Sequence, residues 1–162
     1  MKKRLFLLVL FFCTQASLYA QRKQTPLDLS WFFFKGDVVY GERNDINDRD
    51  WRTVELPHDW SIEDLPDQSD SVIGPFSKHS IGTTATAYTI GGIGWYRKHF
   101  KTGNTSGKKV SIHFDGVYMN SDVWINEHHL GNHPYGYSPF YYDITPYLKQ
   151  NGENIIAVRV RN

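Results

Sequence analysis

MNSDVWINEHHLGNHPYGY, residues 119–137, holds three histidines, three aromatics and two acids, and a first reading makes it a metal or catalytic site. Its periodicity points elsewhere. Ser121, Val123 and Ile125 alternate with Asp122, Trp124 and Asn126, the period-2 pattern of a half-buried strand. Asn126-Glu127 supplies a tight reversal before His128–Leu130, so the stretch predicts a β-hairpin. On such a strand His128 and His129 face apart and do not converge on one ion. His129 and His133 have helical spacing, but Gly131 and Pro134 disfavour a helix there. No His-Glu-x-x-His or comparable ligand set accompanies them. No metal is expected.

The same alternation extends outward from this hairpin. Val110, Ile112 and Phe114 take one face while Lys109, Ser111 and His113 take the other, and Asp115-Gly116 follows as a turn. Ile156, Val158 and Val160 alternate with Ala157, Arg159 and Arg161. Between them Thr145 is suited to cap a short helical turn, with Pro146 at its first position and Gly152 beyond its end. Leu65–Gly94 is rich in Gly, Ser, Thr, Asp and Pro and has no sustained alternation, which predicts a long functional loop or covering flap. Many short strands with frequent turns predict an all-β fold, a jelly-roll β-sandwich. The sequence stops at Asn162, on a strong strand, and so reads as a fragment.

The first twenty residues form a secretory signal, with Lys2-Lys3-Arg4, an apolar run from Leu5 to Phe12, and a cut expected after Ala20. The apolar run is far shorter than the roughly 20 residues a membrane span needs. A lipid anchor on Cys13 is the competing reading, but the bulky Phe12 precedes the cysteine. Residues 21–162 then form one exported domain, periplasmic or secreted. It carries 15 basic and 17 acidic residues and no cysteine, so disulfides, thiolate ligands and a cysteine nucleophile are excluded. Neither nucleic acid nor anionic lipid is favoured as a partner at that charge. Aromatics at 15% and five tryptophans suit either a sandwich core or a sugar-binding surface.

Two further motifs invite chemistry. LPHDW, residues 56–60, sets His58 beside Asp59, but neighbours in an extended segment do not orient one another as triad members do. A strand-terminating turn accounts for it, with Asp59 bonding nearby backbone and Trp60 anchoring the loop in the core. GGIGWYRKHF, residues 91–100, has glycines that precede a strand, whereas a dinucleotide fingerprint follows one and opens a helix. Here the glycines bend the chain into a strand beginning at Trp95. The acids Glu42, Glu55, Asp59, Glu63, Asp64, Asp67 and Asp70 lie in polar stretches where solvated charge is the ordinary state.

Taken together, LPHDWSIED, GGIGWYRKHF, FDGVYMNSDVWINEHHLG, YGYSPFYYDITPYL and GENIIAVRVRN resemble, in order and spacing, the N-terminal sugar-binding domain of family 2 glycoside hydrolases. That group holds β-galactosidases, β-glucuronidases and β-mannosidases. The resemblance implies a domain preceding an immunoglobulin-like domain and a (β/α)₈ barrel. The barrel's two glutamates would perform a retaining double displacement. The chain alone is then expected to be inactive and to need no cofactor. Its partners would be the downstream barrel and a terminal β-galactoside. The resemblance sets residues 74–94 beside the sugar pocket, and the substrate-binding candidates are Ser77 and His79 there, Trp95 next to them, and His58 and Asp59 of LPHDW at a sugar-binding mouth. The alternatives are a stand-alone carbohydrate-binding module, a purely structural domain, or a β-glucuronidase or β-mannosidase parent. Two positions depart from the family pattern: Arg161, where Asp or Asn is common, and Glu127, where Gly after the Asn is usual. A non-glycine residue at positive φ costs about 1–2 kcal/mol.

Overall fold

The computed structural model describes residues 22–63, 76, 77, 80 and 82–162. The proposed leader, residues 1–20, and much of the predicted 65–94 loop lie outside the described residues. Among the described residues eight strands run in chain order: β1 (Trp31–Lys35), β2 (Arg52–Val54), β3 (Ile93–Lys101), β4 (Ser111–Phe114), β5 (Ser121–Ile125), β6 (His128–His133), β7 (Phe140–Asp143) and β8 (Glu153–Arg161). Six form one sheet in the order β2-β1-β3-β8-β5-β6, and β4 pairs with β7 in a second sheet. Every pairing is antiparallel. The chain passes between the sheets after β3, β4, β6 and β7, which makes the fold the expected all-β jelly-roll sandwich.

Alternation decides which side chains face the second sheet. Phe33 lies opposite Tyr96, Tyr96 opposite Val158, and Val158 opposite Val123, all on one face. This row joins Trp31, Val54, Ile125, Ile156, Val160 and Trp60 in the core, with Ile112 and Ile144 closing it from the β4–β7 side. Phe114 stacks on Phe140 across β4 and β7 at 4.9 Å. Burying a side chain of this size contributes about 1.5–3 kcal/mol.

The β5–β6 hairpin forms as expected, with Asn126 and Glu127 at φ 47° and 73°. Positive φ at both central residues is what a type I′ turn requires. Asn126 is buried because its amide also serves the core. It donates to Tyr147 O and to Asn154 Oδ1, both at 2.8 Å, and accepts from Ile155 N at 3.0 Å. Glu127 Oε1 accepts the Asn44 N–H at 2.8 Å, and this bond offsets part of the strain of a non-glycine turn residue.

Two local expectations are corrected. β3 begins at Ile93, so Gly94 lies inside the strand, opposite Val160. A Cβ there would fall within the Trp60 ring, so the glycine makes room for the anchor. The turn at Thr145–Tyr147 is a 3-10 turn with Ile144, not Thr145, at its N-cap position and no side-chain cap bond. The Thr145 hydroxyl instead accepts from Val110 N at 2.8 Å and ties β7 to the approach of β4. WFFFK of β1 is apolar almost throughout: Trp31 and Phe33 enter the core, while outward Phe32 meets His99 and Phe34, 40% exposed, packs on Trp51.

Candidate functional site: a groove on the outer face of the large sheet

The outer face of the six-stranded sheet is not solvent. Trp95, Arg97 and His99 of β3, Ala157 and Arg159 of β8, and Asp122 and Trp124 of β5 alternate with the core residues and point away from them. Residues 36–51 cross this face as a strap. Asp48 accepts from Arg97 Nε at 2.7 Å and lies 2.8 Å from His99 Nε2. Arg97 is wholly buried and also donates from Nη1 to Gly41 O. Burial pushes the Asp48 carboxyl up, but the hydrogen bonds from Arg97 and His99 outweigh it and hold the group below the ordinary carboxylate range. Gly41 is required where the strap meets Trp95, since a Cβ there would lie 2.8 Å from the indole.

Beside the strap the outer face opens into a groove of about 490 Å³, lined by Asp37–Tyr40, Glu42, Trp95, Asp122, Trp124, His129 and Arg159. The groove is shallow and open to solvent. The Trp95 and Trp124 indoles stack at 5.4 Å, and His129 lies against Trp124 at 5.0 Å. Asp37 accepts from Arg159 Nη2 at 2.9 Å, Arg159 Nε at 3.2 Å and Trp95 Nε1 at 3.2 Å. Those bonds, Arg159 foremost, hold its carboxyl below the ordinary range. Asp122 Oδ1 lies 3.0 Å from His129 Nε2. Aromatic edges and fixed polar groups therefore share one concave surface.

The residues singled out from sequence do not converge. Trp95 is 3% exposed and contributes only an edge to the groove. His58 sits on the core side, with Nε2 2.6 Å from Arg52 Nη2 and Nδ1 2.7 Å from the Tyr96 hydroxyl. Its ring packs on Phe33 at 4.6 Å. Asp59 bonds Ser61, through N at 2.8 Å and the hydroxyl at 2.6 Å, so the pair is a turn and not a dyad. Ser77 is buried and its N–H donates to Tyr88 O at 2.9 Å. His79 lies outside the described residues. The three histidines of the opening stretch part company: His128 stacks on Tyr147, His129 meets Asp122, and His133 stacks on Phe140.

Sequence reasoning missed Asp37, Tyr40, Glu42, Asp122, Trp124, His129 and Arg159 as one site. Alternation put Asp122, Trp124 and Arg159 on the face away from the core, but nothing local announces the strap above them.

The sequence profile described as "Glycosyl hydrolases family 2, sugar binding domain" matches residues 27–162. The chain belongs to this family. Among its curated relatives are a β-galactosidase of Bacteroides ovatus, 43% identical over 151 residues, and a putative β-glucuronidase of Formosa agariphila, 43% identical over 144 residues. These matches cover 93% and 88% of the chain but only 17% and 13% of the relatives. The family 2 sugar-binding domain thus spans about a sixth of those proteins or less. Its fold superposes on a family 2 glycosyl hydrolase of Bacteroides cellulosilyticus with a TM-score of 0.75, at 45% identity, over 88% of this chain and 18% of that one. A family 2 β-glucuronidase gives a TM-score of 0.67 at 33% identity, over 88% of this chain and 15% of that one.

Proposed function

We propose that this family 2 domain is the accessory, sugar-binding part of an exported retaining exo-glycosidase that hydrolyses terminal β-galactosides. The groove on the outer sheet face carries the sugar-binding part of the reading, since it unites aromatic surface with anchored donors and acceptors in a domain of this family. The likeness to the Bacteroides ovatus β-galactosidase supports the choice of galactoside. The leader-like residues 1–20 support export, and N-terminal sequencing of the exported protein should begin at Gln21.

In this reading the acid/base and nucleophile belong to a catalytic domain of the parent enzyme, so the 162-residue chain alone should hydrolyse nothing. The test is turnover of 4-nitrophenyl β-galactoside, β-glucuronide and β-mannoside by the full-length gene product. Fastest release from the galactoside is expected, and a preference for another glycoside overturns that assignment. A β-glucuronidase parent is the second reading, favoured by the equal identity to the Formosa agariphila protein.

A further inference from the structure

We propose that the outer-face groove is itself a saccharide subsite, and that it selects a neutral sugar over a uronate. This rests on the sugar-binding reading above and names the surface and ligand class.

Three observations carry it. The groove is lined in part by the aromatic rings of Tyr40 and Trp124, with Tyr40 64% exposed at the rim. Its polar groups are held in place by one another, Asp37 by Arg159 and Trp95, and Asp122 by His129. Such anchoring lowers the entropy lost when a ligand binds. Unused hydrogen-bonding capacity remains on both sides. Among the described residues, Arg159 Nη1, His129 Nδ1, the Tyr40 hydroxyl and the Glu42 carboxylate have no hydrogen-bond partner. Donors and acceptors mixed at short range, beside aromatic carbon, match the alternating hydroxyls and C–H faces of a pyranose.

The charge balance sets the class. Three carboxylates, Asp37, Glu42 and Asp122, face one permanent cation, Arg159, and one imidazole, His129. Arg159 is already engaged by Asp37, and the His129 ring lies against Asp122. A uronate would bring a fourth negative charge to a groove whose one permanent cation, Arg159, already serves Asp37 through Nε and Nη2. A like-charge contact near 4 Å costs about 1 kcal/mol in water, or about fivefold in affinity. A neutral hexose meets no such penalty.

The test is a two-dimensional NMR titration of the purified protein, following the Trp95 and Trp124 indole N–H signals. The probes are methyl β-galactoside and methyl β-glucuronide at equal ionic strength. The galactoside should shift both indole signals and bind at least about fivefold more tightly than the glucuronide. Trp124→Ala should weaken it about tenfold. Asp122→Asn, a surface change that spares the core, should narrow the preference against glucuronide, which keeps the proposal testable if Trp124→Ala fails to fold. Indole signals that stay still at saturating galactoside, or tighter glucuronide binding, overturn the subsite. Galactoside shifts confined to residues remote from the groove overturn it while leaving the sugar-binding reading intact.

Discussion

The two faces of the six-stranded sheet share one backbone ladder and differ in almost everything else. On the core face Phe33, Tyr96, Val158 and Val123 form a continuous apolar row. On the outer face the adjacent row runs Phe34, Trp95, Arg159 and Asp122, and the next contains Arg97, Ala157 and Trp124. The core face is stabilised by area removed from water, a non-directional effect that tolerates loss in proportion to the atoms removed. The outer face buries a guanidinium, so its stability depends on a particular partner being present. Removing one side of such a pair leaves a charge that neither water nor protein satisfies.

The largest effect is therefore expected from Asp48→Ala, which strands Arg97 under the strap. Urea unfolding should show a loss of about 3–5 kcal/mol. A second change, Arg97→Leu, should recover a good part of it, because the uncompensated charge goes too. Failure to recover would mean that the strap is held by something other than this pair. On the core face Gly94→Ala is the corresponding break, since the added methyl meets the Trp60 ring. Overpacking of this kind costs about 1–3 kcal/mol. Gly103→Ala, where a Cβ meets nothing within 4 Å, is the control, and equal costs for the two would refute the steric account.

Acid should act through the outer face first. Asp48 has its folded pKa depressed, so its contribution is present above the unfolded value of about 3.9 and is lost as pH falls through the folded one. Stability of the parent protein should thus decline below about pH 4, and Asp48→Asn should flatten that decline. An unchanged slope in the variant would assign the acid response to other carboxylates held below the ordinary range, Asp37 among them. The smallest effect belongs to Glu127→Ala, which deletes the bond to Asn44 N and keeps the positive φ. A cost of about 0.5–1.5 kcal/mol is expected in the same unfolding assay. Glu127→Gly should be closer to neutral, because relief of backbone strain offsets the lost bond.

These differences mirror what could be read in advance. Val123, Ile125, Ile156, Val158 and Val160 announced the core through period-2 alternation alone, and Asn126-Glu127 announced the hairpin turn. β1 shows no alternation in sequence because its outward side chains, Phe32 and Phe34, are aromatic too and pack against His99 and Trp51. His58, Asp59 and Trp95 attracted notice as chemically capable residues. Their partners proved to be Tyr96 and Arg52, Ser61, and Asp37, and only Trp95 reaches the groove. The opening stretch predicts a hairpin, whose Val123 and Ile125 pack in the core while Asp122, Trp124 and His129 line the groove on the opposite face.

What the sequence determined by itself was the all-β character, the inward face of each regular strand and the position of the reversals, because these depend on neighbours two to four residues apart. The tertiary structure alone decided that Asp48 would reach Arg97, that Glu127 would hold Asn44, and that Asp37 would meet Arg159, 122 positions along the chain. Those pairings follow from strand order and from where the strap crosses the sheet. Long-range contacts of that kind leave no local periodicity, so the groove they build becomes visible only when the chain is folded.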